Sequence, residues 1–303
     1  MATRSRERGD GSVVEITVVG AGTMGAGIAQ VCCQAGFRTH LHDAQPAAIE
    51  RAVNGILGFW DKGIAKGKTT PEQKSAWKDN LHWRGDLMDK VSGSSIVIEA
   101  IPENLQWKQD LFRQLDEYAP GDAMLATNTS SLNIAAIASA TGRPEAVVGT
   151  HFFNPVPIMK LLEIVAHDST SPATVQRARK FGAALGKTTI LAKNRPGFAT
   201  SRLGIALGNE AARMADEGVA SVQDIDTAMK LGYGHPMGPL ELSDLVGLDV
   251  RHAITQYLHK ELGGDQWLPP AITERLVNAG ELGKKTGKGF YDWSDGTPRE
   301  RAL

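Results

Sequence analysis

Long apolar runs, cysteines and any surplus of one charge are what this 303-residue sequence lacks. No apolar stretch approaches the ~18 residues that a membrane-spanning helix requires, so none is expected and no membrane partner is anticipated. The only two cysteines, Cys32 and Cys33, are adjacent. Neighbours within one predicted helix cannot staple distant parts of a chain, which excludes a disulfide scaffold and suits a reducing compartment; a cytoplasmic location is the expectation. Lys and Arg total 33 against 34 Asp and Glu, a formal net charge of −1. That balance gives nucleic acid no electrostatic footing, so it is not expected as a partner. No metal is expected. The segment Met1 to Gly11 contains Arg4, Arg6 and Arg8 but also Glu7 and Asp10, and it has no apolar core. It is no secretory signal, its acids argue against a transit peptide, and residues 1–12 read as a short disordered tail.

What is present is ordinary for a soluble globular protein: 42% hydrophobic and 22% charged residues. The length suggests about two domains. From Val13 to Asn194, β-rich runs alternate with helical spacing. Strands are read at Val13–Val19, Phe37–His42, Ser95–Glu99, Ala123–Ala126, Ala146–Thr150, Leu161–Val165 and Thr188–Leu191. Between them, helices are read at Ala26–Ala35, Pro46–Lys66, Pro71–Asn80, Asn104–Tyr118 and Pro172–Leu185. This alternation predicts a Rossmann-type, doubly wound and mostly parallel sheet over residues 13–194. After Arg195-Pro196-Gly197 the strands stop. Leu203–Glu217, Ser221–Leu231, Pro239–Leu262 and Pro270–Ala279 all read as helices, broken by Pro and Gly. Residues 195–303 are therefore expected to form an all-helical domain.

A glycine motif, Gly20-Ala-Gly22-Thr23-Met24-Gly25, sits where the first strand meets the first helix. Alone it is a weak signal; strand before, helix after and Asp43 at the end of the second strand complete a dinucleotide fingerprint. Gly20 permits the tight turn, Gly22 lets backbone approach a pyrophosphate, and Gly25 allows helix and strand to pack closely. Thr23 and Met24 lie in the same turn and count with them. The helix N-terminus offers free N–H groups to the phosphates. Asp43 is placed to accept from both ribose hydroxyls, and neither Ala44 nor Gln45 brings a cation for a 2′-phosphate. NAD is expected rather than NADP.

Further along, His151-Phe-Phe-Asn154-Pro-Val-Pro157-Ile-Met-Lys-Leu-Leu-Glu163 places an imidazole, an amide and a carboxylate around two prolines. Histidine exchanges protons near neutral pH. A carboxylate able to fold back onto the ring would set its tautomer and stabilise its charged form. After a dinucleotide site, this constellation suggests a dehydrogenase.

The chain resembles the 3-hydroxyacyl-CoA dehydrogenases, in particular the monofunctional bacterial 3-hydroxybutyryl-CoA dehydrogenase type. The resemblance rests on Gly20 to Gly25, Asp43, Glu99-Ala-Ile-Pro-Glu103-Asn104, Thr127-Asn128-Thr129-Ser130-Ser131, His151 to Pro157 and Glu163. It continues through Arg195-Pro-Gly-Phe198, Asp224-Ile-Asp226, Gly234-His-Pro-Met-Gly-Pro239 and Lys284-Lys285-Thr-Gly-Lys-Gly-Phe-Tyr291. It covers nearly everything after residue 13. The resemblance implies NAD-dependent oxidation of an (S)-3-hydroxyacyl-CoA, or its reverse. His151 would be the general base, Glu163 its orienting carboxylate, and Ser130 and Asn154 would hydrogen-bond the substrate oxygens. Glu103, Lys108, Asn128, Ser130 and Lys285 match cofactor contacts, and Lys66 matches a lysine that meets CoA. The family also implies a homodimer built through the helical domain. With no crotonase-like segment, one activity is expected.

Each residue has a plainer reading. His151 could be a satisfied core histidine, and Glu163 and Asn104 purely structural. Ser130 and Asn128 could cap a helix starting near Leu132. Lys62, Lys66 and Lys68 could be a solvated helix end, and His235 reads as a packing residue. Two positions depart from the family pattern. Ser201 stands where an asparagine usually precedes Arg202-Leu203; it is counted with the substrate groups, but its hydroxyl donates one hydrogen where the amide donates two. Phe59 stands where some relatives meet CoA through a serine. The competing functions are dehydrogenation of a non-CoA 3-hydroxy acid, of the L-gulonate or carnitine type, and a non-catalytic, crystallin-like NAD-binding protein.

Overall fold

The computed structural model describes residues 13–303, so the expected tail at residues 1–12 lies outside the described residues. The chain divides into two compact units, with the boundary between Asn194 and Arg195. In the first unit, apolar runs become strands and the spaced patterns become the helices between them. The succession is β1 (Glu15–Val19), α1 (Thr23–Gln34), β2 (Arg38–His42), α2 (Pro46–Ala65), α3 (Pro71–Asp79) and β3 (Leu81–His82). It continues with α4 (Leu87–Gly93), β4 (Ile96–Glu99), α5 (Leu105–Tyr118), β5 (Met124–Thr127) and α6 (Ile134–Ala138). The unit closes with β6 (Val147–Phe152), β7 (Leu161–Ala166), α7 (Pro172–Ala184) and β8 (Thr188–Lys193). Neither β3 nor α4 is anticipated from the sequence. A two-residue strand has no period to detect, and α4 is one short polar segment with a glycine.

The eight strands lie in the order β3-β2-β1-β4-β5-β6-β7-β8. Strands β1 to β6 pair in parallel, β6 and β7 run antiparallel, and β8 follows β7 in parallel. Ile16, Val18, Ile98, Ala126, Val148 and Ile164 form the buried middle of the sheet, with α1 laid across it through Ile28, Ala29 and Cys32. Because the chain leaves β1 toward β2 on one side and reaches β4 on the other, a crevice opens at their C-terminal ends. Val19 and Glu99 are register partners there, immediately before the glycine turn.

The second unit is helical: α8 (Thr200–Asp216), α9 (Val222–Thr227), α10 (Pro239–Val246), α11 (Leu248–Leu262) and α12 (Ala271–Asn278). Residues 239–262, expected as one helix, are two. Gly247 separates them at φ 104°, a left-handed conformation that L side chains resist. Two buried aspartates organise this unit. Asp226 accepts from the Leu240 and Glu241 amides (both 2.8 Å), so α9 caps the start of α10. Asp244 accepts from the Phe290 and Tyr291 amides (2.9 and 2.8 Å) and from Trp293 Nε1 (2.8 Å). The final segment is thereby tied down, with Phe290, Tyr291 and Trp293 in the core formed by Ile225, Leu240 and Ile272. His235 is half-buried in this unit.

Candidate active site

The glycine turn is built by close backbone approach. A Cβ on Gly25 would stand 1.7 Å from the Gly20 carbonyl oxygen, so only glycine lets α1 begin so near β1. Gly20 itself has φ 107° and donates its amide to His42 O (2.7 Å). Gly22 differs: a Cβ there would meet nothing within 4 Å, because its face looks into open space. That space is a cavity of about 670 Å³ lined by Gly20, Gly22, Thr23, Met24 and Asp43 on one side. Ile101, Pro102, Leu87, Trp107 and Leu111 line the apolar side. Helices α3, α4, α5, α6 and α7 each begin with a side chain accepting from a first-turn amide, and α2 opens on Pro46. Helix α1 begins at Gly22 with no side-chain cap and no acid in its first turn. Its first-turn N–H groups and positive end therefore face the cavity, ready for an anion.

Asp43 closes the polar side. Its Oδ2 accepts from Ala21 N (2.7 Å) and its Oδ1 from Gln45 N (2.8 Å), which locks the carboxylate at the cavity edge. Each carboxylate oxygen retains a further lone pair for a hydroxyl. An uncapped helix end, a glycine face open to the cavity and a fixed carboxylate fit NAD, which Gly20, Gly22, Thr23, Met24, Gly25 and Asp43 would hold. The apolar wall made by Trp107 and Leu111 went unread in the sequence. Their i, i+4 spacing on α5 was the signal available.

His151 lies at the end of β6 and Glu163 on β7, directly opposite in the antiparallel register. His151 Nδ1 and Glu163 Oε2 are 2.9 Å apart, and Glu163 is wholly buried, 0% exposed. The His151 ring also packs on Phe153, with centroids 4.5 Å apart. Asn128 Oδ1 accepts from Phe152 N (2.9 Å), tying the exit of β5 to the residue after the histidine. Asn154 and the following prolines border a second groove of about 530 Å³, whose other walls are α1 and the face of α2 bearing Arg51 and Phe59. Both grooves share Gly22, Thr23 and Ala48, so they meet at the N-terminus of α1.

Other sequence-assigned residues sit differently. Lys108, expected to touch the cofactor, is 1% exposed and does not line the cavity. Its ammonium donates to Glu99 Oε1 and to Ile101 O (3.2 Å), and lies 3.4 Å from Glu103 Oε2. Glu99 also accepts from Thr127 Oγ1 and Ile101 N (both 2.7 Å). Burial pushes the Glu99 carboxyl above its usual range despite these partners. Glu103 Oε1 gathers the loop after β5, accepting from Thr129 Oγ1, from the Ser130 and Ser131 amides (both 3.1 Å) and from Ser131 Oγ (3.0 Å). Burial alone would raise its carboxyl, but Lys108 and the Thr129 and Ser131 donors hold it below the ordinary range. The plainer reading of Asn128 or Ser130 as a helix cap does not hold. Helix α6 starts at Ile134, and Asn133 Oδ1 accepts from Ala135 N (2.9 Å), leaving Ser130 half-exposed on a loop whose amide Glu103 holds. Asn104 caps α5 through Trp107 N (3.1 Å). Lys66 is exposed at the end of α2, beside exposed Lys62 and Lys68. On the helical unit, Ser201 is half-buried in the first turn of α8, and Lys285 Nζ is paired with Asp249 (2.6 and 2.7 Å).

Family comparison agrees with this architecture. Residues 15–195 match the 3-hydroxyacyl-CoA dehydrogenase NAD binding domain, and residues 197–293 match the C-terminal domain of the same family. A probable 3-hydroxybutyryl-CoA dehydrogenase of Deinococcus radiodurans is 42% identical over 276 residues, covering 91% of this chain and 99% of that protein. The 3-hydroxybutyryl-CoA dehydrogenase of Clostridioides difficile is 39% identical, covering 93% of this chain and 100% of its own. Among solved structures, (S)-3-hydroxybutyryl-CoA dehydrogenase from Ralstonia eutropha superposes with a TM-score of 0.89 at 37% identity, covering 93% of this chain and 99% of the other.

Proposed function

This chain belongs to the 3-hydroxyacyl-CoA dehydrogenase family, and from that premise we propose that it interconverts an (S)-3-hydroxyacyl-CoA, with 3-hydroxybutyryl-CoA the preferred substrate, and the 3-oxoacyl-CoA. The observation that carries this reading is the buried contact of His151 Nδ1 with Glu163 Oε2 at 2.9 Å. When bound, NAD supplies the acceptor for the C3 hydrogen and its two electrons. With Nδ1 donating to Glu163, Nε2 is the basic nitrogen, and it takes the 3-hydroxyl proton as the carbonyl forms. The imidazolium is stabilised by the same carboxylate, which is excluded from water. Asn154 and Ser130 hold the substrate oxygens, Asn154 from the groove wall and Ser130 from the loop that Glu103 anchors. Arg51 and Phe59 border the groove that receives the acyl-CoA.

The decisive experiment is steady-state turnover of C4, C6 and longer (S)-3-hydroxyacyl-CoA substrates with NAD and NADP, for the wild type and His151→Ala. C4 turnover with NAD in the wild type, abolished in the variant while NADH still binds, is expected. Near-normal turnover by His151→Ala would sink the mechanism, and turnover of a free 3-hydroxy acid alone would move the substrate class.

The helical unit presents Leu231 (83% exposed) and Tyr233 (79%) to solvent, which supports a homodimer formed through this unit. Light scattering giving a monomer at micromolar concentration would reject it. No helix among the described residues is long and apolar enough to cross a membrane. The cysteines are free and buried, in keeping with a cytoplasmic setting.

A further inference from the structure

We propose that Lys187 is a positioning residue for the reaction, acting as the external donor that holds the Asn154-bearing loop in place. The loop joining β6 to β7 is short of hydrogen-bond donors. Pro155 and Pro157 have no N–H, and the amides of Ile158 and Met159 both return to Pro155 O (2.9 and 3.0 Å). The carbonyls of Val156 and Met159 must therefore be met from outside the loop. Lys187, between α7 and β8, meets both: its Nζ donates to Val156 O (2.8 Å) and Met159 O (2.7 Å). An ammonium carries three donors and no acceptor, which is the complement of a proline loop with carbonyls to spare.

Lys187 is an unusual group to find here. It is 9% exposed, no carboxylate pairs with it among the described residues, and its ammonium lies 5.8 Å from the Phe152 ring centroid. Burial lowers its amine below the ordinary lysine range. A buried charge without a counter-ion is costly unless its hydrogen bonds are needed, and here both go to one loop.

The same loop has a second anchor on the cofactor helix. Val156 is buried against α1 at Gly27, where a Cβ would come within 2.8 Å of Val156 Cβ. Gly27 lies within the same helix whose N-terminus lines the NAD cavity. Lys187 pulls on the backbone of Val156 while Gly27 receives its side chain, so the loop is registered against α1. Asn154, two residues earlier, is held relative to both His151 and the cofactor helix. A displacement of about 1 Å at such a point is enough to cost roughly a hundredfold in rate.

The inference rests on the dehydrogenase reading, and its test separates the two. Lys187→Met keeps the length and apolar stem but removes the donors; Lys187→Arg restores donors. The measurements are kcat and KM with 3-hydroxybutyryl-CoA, NADH affinity by fluorescence, melting temperature, and hydrogen exchange of residues 153–160. Lys187→Met is expected to lose about 10- to 100-fold in kcat with NADH affinity unchanged and the loop exchanging faster, and Lys187→Arg to recover much of the loss. Unchanged kcat and unchanged loop exchange in Lys187→Met would overturn the proposal, as would a loss of kcat matched by an equal loss of NADH affinity. If Lys187→Met does not fold, Val156→Ala tests the other anchor by the same readouts, and normal kcat and loop exchange there would overturn it too. If the wild type turns over no 3-hydroxyacyl-CoA, the functional reading falls, while loop exchange in Lys187→Met still decides for or against the clamp.

Discussion

At the scale of single residues, the proposed chemistry rests on the pair His151 and Glu163. The two are twelve positions apart, with a proline-bearing loop between them, and the antiparallel turn places them face to face. Replacing Glu163 by Gln keeps the shape but removes the negative charge and the demand for an Nδ1 proton. A fall in kcat of about 10²- to 10⁴-fold is expected, by analogy with orienting carboxylates elsewhere. The pH–rate profile should change with it, because the carboxylate that orients the imidazole is gone. Steady-state kinetics from pH 5 to 9 checks both, and an unchanged profile would count against the assignment. The glycines make a second contrast. Gly25→Ala drives a Cβ into the Gly20 carbonyl, so it should destabilise the fold by about 1–3 kcal/mol and weaken NADH binding with it. Gly22→Ala meets no protein atom, so its melting temperature should hold while NADH affinity falls. Equal melting losses in the two variants would refute the division of labour.

At the scale of elements, some motifs that look like chemistry are fasteners. The string ending at Tyr291 and the residues Asp226 and Asp244 belong to one buried network in the helical unit. Removing the Asp244 carboxylate leaves three donors unpaired inside the unit. Asp244→Ala should therefore cost about 3 kcal/mol or more, measurable by urea unfolding, and a change within 0.5 kcal/mol would contradict the network. The strand and helix runs were legible because their apolar periodicity is local. The break at Gly247 was less so, since a glycine flanked by helix formers signals a kink only once its φ is known. The start of α6 was ambiguous in the sequence for a related reason. Several Asn and Ser residues precede the helix, and Glu103, from another element, claims the loop amides before they can serve as its start.

At the scale of the whole molecule, pH acts on stability through histidines at the far edge of the sheet. His40, His42 and His82 all have imidazoles held below the ordinary histidine range, by burial first of all. The rings of His40 and His82 lie 5.3 Å apart, and His40 Nε2 contacts Glu15 Oε2 at 3.1 Å. A group whose folded value is depressed takes up its proton more readily when unfolded. The stability it contributes is therefore whole above about pH 6.5 and is lost as pH falls toward the folded value. Glu15, burial notwithstanding, is held low by His40 and Arg38, and its contribution disappears in the same direction at lower pH. The melting temperature should be level between pH 7 and 8 and drop between pH 6.5 and 5, with a shallower drop in His82→Asn. A flat melting curve over that range would show these imidazoles to be solvated.

The amino-acid order by itself determined most of the succession of strands and helices, β3, α4 and the break at Gly247 apart, together with the glycine turn, Asp43 and the candidate proton-transfer groups. These depend on local periodicity, backbone sterics and side-chain chemistry, all of which act over a few residues. Tertiary structure alone decided which of the polar groups face the cavities. Lys66 directly follows α2 and Lys108 lies on α5, yet one ends exposed and the other is enclosed among Glu99, Ile101 and Glu103. Lys187 carries no motif at all. Its place beneath the proline loop follows from pairing β7 with β8, a contact between distant segments that no local pattern encodes.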